Sequence, residues 1–373
     1  MSDVLCEQFQ SGAAAENNTA DTSPTTPKVD YSVSAGLADR LGGLGLSIAF
    51  TSYQSGFLYM VGVKPGGGIN IHQMAFPRPM GIHRHGVHGL SLAADDQILH
   101  LQNVLDPQER VNDLFDAAFM PRQSEFTGQL DLHDLGIDAS GSAIFVNTRY
   151  NCLATPDSRH SFREVWRPPF ISSLVDEDRC HLNGLAMKDG HPRYVTAVSR
   201  SDTIDGWRDR RADGGIVIDV ETGDIICDNL SMPHSPRWYD GRLWLLNSGR
   251  GELGTVEFDW NGKGRFEPHV FCPGFARGLA VHGRHAFVGL SKPRYKRFEG
   301  LELEARLTEA DSTPWCGIQI IDLETRTCVD WLRIDGAVAE LYDLELLPGH
   351  LCPMAVAPGT SEAATLITLS KQT

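Results

Sequence analysis

No two cysteines of this chain form a C-x-x-C pair; Cys6, Cys152, Cys180, Cys227, Cys272, Cys316, Cys328 and Cys352 are spread singly. That spacing removes a zinc ribbon and any readable disulfide framework. Where a cysteine follows an apolar residue, as in Ile226-Cys227 and Phe271-Cys272, it reads as a small buried hydrophobe. Basic charge is also short: Lys+Arg number 33 against 48 Asp+Glu, a formal charge of −15. Nucleic-acid and anionic-membrane partners both call for a basic face, so neither is expected. The one arginine-rich stretch, Arg208, Arg210 and Arg211, is interleaved with Asp205, Asp209 and Asp213 and reads as a solvated loop. No apolar run approaches the length of a membrane span. The opening residues lack a basic segment followed by an apolar one, so a cytoplasmic location is expected. Ser-His-Asp order, a phosphate-binding loop and a dinucleotide glycine motif are missing as well. The run Pro65-Gly66-Gly67-Gly68 is a turn between strands.

What remains is an ordinary globular balance, 41% hydrophobic and 22% charged over 373 residues, with a generous 37 Gly and 20 Pro. Such glycine and proline usage suits many short strands and turns. Residues 1–30, rich in Ser, Thr, Asn, Ala and Pro, read as a disordered tail. From there the composition is uniform, so residues 31–373 read as a single domain.

The domain repeats. HGLSLAADDQILHLQN (88–103), HDLGIDASGSAIFVNT (133–148), NGLAMKDGHPRYVTAVSR (183–200), SPRWYDGRLWLLNSG (235–249) and GLAVHGRHAFVGLS (278–291) each read as strand, tight turn, strand. A sixth copy, YDLELLPGHLCPMAVAPG (342–359), lies near the end of the chain. Aligned on the small or acidic residue that opens each unit (Gly89, Asp134, Gly184, Ser235, Gly278, Asp343), they are 45, 50, 51, 43 and 65 residues apart. A period near fifty with about four strands per unit predicts an all-β, six-bladed β-propeller. The strands at 47–53, 57–63 and 69–74 precede the first copy and complete the blade that the last copy begins. The ring is thereby closed from both chain ends.

In such a ring, equivalent positions converge on the axis. The residue before each opening position reads His88, His133, Asn183, His234, Arg277 and Tyr342. Three imidazoles and an amide form a divalent-metal set: zinc first, with iron or copper as alternatives. His83 and His85 are the other candidates for the place given to His88. Arg277 would hold an anionic group, and Tyr342 would move a proton or brace an oxyanion. His181 lies two residues before Asn183 on the same strand face, in a second layer with Asp131 and Glu340. The segments 103–126, 148–167, 200–214 and 291–315 read as long loops gathered on this face. Asn147, Arg149, Asn151, Asn247, Ser248 and Arg250 are among their candidate pocket residues.

The runs Trp166-Arg-Pro-Pro-Phe-Ile-Ser, Cys180-His-Leu-Asn-Gly-Leu-Ala-Met, Val195-Thr-Ala-Val-Ser-Arg-Ser-Asp and Met232-Pro-His-Ser-Pro-Arg-Trp resemble a bacterial family of conserved hypothetical proteins. The resemblance spans roughly residues 40–355 and implies a β-propeller without implying a reaction. A second likeness, of constellation alone, is to the propeller lyase of peptide amidation. That enzyme places zinc on three channel histidines beside a Tyr and an Arg. Asn183 in His-Leu-Asn-Gly-Leu is similar to a strand start of lactonase-type propellers. The expected function is a metal-dependent enzyme of lyase, isomerase or hydrolase type acting on a small polar or anionic substrate at the channel mouth. The alternative is a non-catalytic propeller that binds a peptide or protein partner through its long-loop face.

Overall fold

The computed structural model describes residues 29–292 and 300–369. Within them six sheets of four or five strands, antiparallel except for one outermost pairing, stand around one axis as a six-bladed β-propeller. The disordered tail expected over residues 1–30 falls almost wholly outside the described residues. Its last two residues instead begin the strand Val29–Val33.

From the axis outward, blade 1 is Leu344–Pro348, Leu46–Ser52, Phe57–Val63 and Ile69–Ala75. Blade 2 runs Pro79–His85, Gly89–Ala94, Gln97–Asn103 and Ala117–Phe126. Blades 3, 4, 5 and 6 start at the axis with Leu132–Ile137, Leu182–Lys188, Pro233–Tyr239 and Phe275–His282. Middle strands such as Leu46–Ser52, Gly89–Ala94 and Cys316–Asp322 are buried along their whole length, because both sheet faces meet a neighbouring blade. Only outer strands such as Thr327–Gly336 alternate between buried and exposed residues, as a half-solvated face requires. Six of the cysteines (Cys152, Cys180, Cys227, Cys272, Cys316 and Cys352) are buried free thiols, as hydrophobes would be, while Cys328 is exposed.

The ring closes where the sequence places the closure. Leu344–Pro348 pairs with Leu46–Ser52, Phe50 opposite Leu344 and Leu46 opposite Pro348. Two further ties were not anticipated. Val29–Val33 adds a fifth, outer strand to blade 6. The second half of the last repeat forms no hairpin with the first: Pro353–Ala355 runs parallel to the outer strand of blade 2.

The repeat at 88–103 is also displaced by one strand. Gly89–Ala94 and Gln97–Asn103 are the second and third strands of blade 2, and the axial strand is Pro79–His85. The opening position of that blade is therefore Gly81, and Met80 precedes it. In antiparallel order the loop 104–116 then lies on the face opposite the ring. So does 156–162, whereas 198–214 and the described part of 292–315 lie on the ring face, as expected.

The opening positions hold the blades together by an alternating device. Asp134 accepts the Leu185 N–H of the next blade at 3.0 Å, Ser235 accepts that of Gly278 at 3.0 Å, and Asp343 accepts that of Ile82 at 3.1 Å. The three positions between them are glycines pressed against the following blade. A Cβ on Gly184 would lie 2.3 Å from Pro236 Cδ, one on Gly81 3.0 Å from Asp134 Cα, and Gly278 holds φ +83° with Leu344 N 2.8 Å from its Cβ site. Gly184→Val therefore destabilises by overpacking, about 1–3 kcal/mol. Ser235→Ala does so by orphaning a buried N–H, also about 1–3 kcal/mol. Urea unfolding measures both, and a Ser235→Ala protein as stable as the parent would show that this hydrogen bond does not tie the blades.

Candidate active site at the channel mouth

A layer of charge divides the axial channel. Arg237, from blade 5, donates to Asp134 at 2.8 Å and to Asp343 at 3.0 Å, reaching across to blades 3 and 1. Burial opposes its charge, but the two carboxylates hold its pKa above the ordinary value. On one side lies a small cavity of about 200 Å³ lined by His83, Arg84, Glu345 and Trp238 among others. On the other lies a cavity of about 670 Å³ at the mouth where the axial strands begin.

His133, His234, Arg277, Tyr342 and His181 all line the larger cavity, together with Asp131 and Glu340. Asn183 sits beside it, its amide nitrogen 3.4 Å from His234 Nε2. His88 is elsewhere. It follows the far end of the axial strand of blade 2, its ring 6.3 Å from that of His350, and Met80 takes its place at the mouth. His83 and His85 are nearer the far end of that strand and do not join the mouth either. The cause is the one-strand displacement in blade 2: Met80-Gly81-Ile82 and His88-Gly89-Leu90 open neighbouring strands of one sheet with the same pattern. Among the described residues no three His, Cys, Asp or Glu side chains come together as a metal site requires.

The two mouth histidines are held alike. His133 Nδ1 lies 3.0 Å from the Asp131 carbonyl and 2.8 Å from Thr148 Oγ1. His234 Nδ1 lies 2.9 Å from the Met232 carbonyl and 3.2 Å from Ser248 Oγ. Each hydroxyl gives its own proton to the next blade, Thr148 to Leu182 O and Ser248 to Ala276 O, both at 2.6 Å. Carbonyls only accept, so Nδ1 carries the proton in both rings and Nε2 keeps its lone pair. Burial depresses both imidazoles well below the usual range; His181 and Arg277 add to the effect at His133, and Arg277 at His234.

His181 is set differently. Its Nδ1 is 2.7 Å from the Asp178 carboxylate, its ring stacks on Trp207 at 4.1 Å, and it meets the His133 ring at 5.0 Å. The His133 ring is in turn 5.5 Å from that of Tyr342. Burial raises the Tyr342 phenol well above 10, against the pull of Arg277, so it keeps its proton. Arg277 lies 3.9 Å over the Tyr342 ring and 4.0 Å from Glu340, which accepts a hydrogen bond from Tyr53 at 3.0 Å.

Trp207, Asp178, Tyr53, Met232 and Phe275 belong to this site and were not singled out from the sequence. Asp178 carries a usable signal, since Asp178-Arg-Cys-His181 places a carboxylate three residues before the histidine on a tight loop. By contrast Asn147, Asn151, Asn247 and Ser248 are buried braces rather than lining residues. Asn151 accepts the N–H groups of Arg179 and Cys180, and Asn247 that of Ser231.

The chain belongs to the family described as a domain of unknown function, DUF4915, which it matches over residues 35–356. No curated protein sequence matches it. Among solved structures it is similar to virginiamycin B lyase from Staphylococcus aureus, at 10% identity, covering 77% of this chain and 76% of that one, TM-score 0.40. It is also similar to a protein of unknown function from Bacteroides caccae, at 8% identity, covering 80% and 98%, TM-score 0.47. A chain of a nidogen/laminin complex is 10% identical, covering 82% and 99%, TM-score 0.45. Distances of this order leave the chemistry of the site to its own residues. No helix of the described residues is long and apolar enough to cross a membrane.

The depressed imidazoles predict acid lability. An unfolded chain takes up protons near pH 6.5 that folded His133 and His234 refuse. Their contribution is thus intact above that pH and is lost as pH falls below it, by up to about 1.4 kcal/mol per pH unit for each ring. Urea unfolding between pH 7 and 5 should show a steeper decline in the parent than in the His133→Gln/His234→Gln double variant.

Proposed function

We propose that this chain is an enzyme that works by general acid–base chemistry on a small polar, anionic substrate at the channel mouth, of lyase or isomerase type. The observation that carries this reading is the Asp178–His181 pair opening on the same cavity as the Tyr342 hydroxyl beneath Arg277. Asp178 fixes the His181 tautomer with Nε2 free and steadies the imidazolium once His181 accepts a substrate proton. Tyr342, still protonated, donates to the oxygen on which negative charge develops. Arg277 anchors the anionic group. Hydrolysis would use the same groups with water in the place of the substrate proton.

The metal-dependent form expected from three histidines loses its third ligand with His88. Of that set His133, His234 and Asn183 remain at the mouth, with His181 on the same cavity; the acid–base reading uses these residues without routing a step through a metal. Elemental analysis of untagged protein for zinc, iron and copper checks this point. A stoichiometric ion that disappears in His133→Ala and His234→Ala would restore the metal-dependent reading.

Proton nuclear magnetic resonance in D2O, with a panel of 2-hydroxy, 3-hydroxy and sugar-derived carboxylates, tests the activity. The parent should exchange or consume a C–H. His181→Gln and Tyr342→Phe should each lose about 10²–10⁴-fold in rate at an unchanged thermal midpoint. A parent that leaves the whole panel untouched would favour the non-catalytic alternative, binding of a peptide or protein partner over the loops of the mouth face.

A further inference from the structure

The mouth cavity carries hydrogen-bonding capacity that the protein does not use, and its arrangement describes a ligand. The Arg277 guanidinium makes no hydrogen bond to any described residue; it has only the Tyr342 ring at 3.9 Å and the Glu340 carboxylate at 4.0 Å. The other arginines of the cavity are engaged, Arg78 by Asp131 at 2.9 Å, Arg208 by Asp205 at 2.8 Å and Arg211 by the Arg208 carbonyl at 2.9 Å. Two lining residues, each more than nine-tenths buried, hold donors with no partner among the described residues: the Trp207 indole N–H and the Tyr342 hydroxyl. Such groups are costly unless something completes them. Opposite them are acceptors. The Nδ1 protons of His133 and His234 are committed to backbone carbonyls and to Thr148 and Ser248, which leaves each Nε2 to accept. His234 Nε2 has only a long 3.4 Å contact with Asn183.

A complementary ligand therefore brings one anionic group and several groups that both donate and accept. We propose that the substrate class of this site is the polyhydroxy carboxylates: sugar acids whose carboxylate meets Arg277 and whose hydroxyls bridge the imidazole acceptors and the Trp207 and Tyr342 donors. An amine would donate to the imidazoles but would bring a second cation beside Arg277. A plain fatty carboxylate would leave the imidazoles and the indole unpaired. Hydroxyls satisfy both sets. The Trp207–His181 stack, 25° from coplanar, provides a flat face for the C–H side of such a chain, and Met232 and Phe275 extend the apolar wall. This inference rests on the acid–base reading for the location of the site and names what occupies it.

Calorimetric titration of the full chain with three six-carbon probes separates the terms: gluconate has charge and hydroxyls, sorbitol hydroxyls only, hexanoate charge only. Gluconate should bind at least about tenfold more tightly than either of the others. Arg277→Gln should remove its advantage over sorbitol, and His234→Leu should reduce its advantage over hexanoate, with thermal midpoints recorded for both. The comparison on the parent alone keeps the test decisive if a variant fails to fold. Hexanoate binding as well as gluconate, or no binding of any probe up to about 10 mM, would overturn the proposal. The two readings fail separately. Gluconate bound without exchange or turnover of any panel member sinks the enzyme and spares the ligand class, whereas turnover of a panel member by a protein that binds hexanoate as tightly as gluconate does the reverse.

Discussion

Hydrogen bonds passed from one blade to the next at the axis set the geometry of this propeller. Asp134, Ser235 and Asp343 each accept a backbone N–H from the following blade, and the alternating glycines let the intervening blades approach. Six blades built on one plan thus acquire an approximate threefold alternation near the axis. The residue immediately before each opening position is held at the mouth by the same contacts. The candidate side chains are therefore carried on backbone that is tied to the neighbouring blades, the kind of rigid support a binding site needs.

A second set of hydroxyls extends that anchoring to the imidazoles. Thr148 and Ser248 each spend their proton on the next blade and offer the same oxygen to a histidine. Packing between blades and protonation at the site thereby share atoms: a shift of blade 4 against blade 3 would disturb His133, and one of blade 6 against blade 5 would disturb His234. His181 stands outside this scheme. Its tautomer is set by Asp178 on its own loop, independently of the contacts between blades.

The propeller was legible in the sequence because each blade must open with a small or acidic residue for the physical reason just given. Blade closure was legible because unpaired strands at both ends of the chain had only each other to complete a sheet. Blade 2 was misread for a reason of the same kind. Met80-Gly81-Ile82 and His88-Gly89-Leu90 both place glycine before an aliphatic residue at a strand start, and no local feature states which strand faces the axis. His88 was lost with that displacement, whereas His133, His234, Arg277 and Tyr342 lay in blades whose axial strand was read correctly. Trp207 and Phe275 escaped notice because an aromatic residue in a loop or at a strand start has no spacing that marks it as a wall.

The bridge that Arg237 makes between Asp134 and Asp343 has a bearing on traffic. With a charged, doubly bonded guanidinium spanning the axis, the channel is two blind chambers placed back to back. A molecule bound at the mouth departs by the route it arrived on, so one occupant must leave before the next can enter. Entry and exit then share one threshold, where Trp207 and its loop stand, and a change in that loop alters both at once.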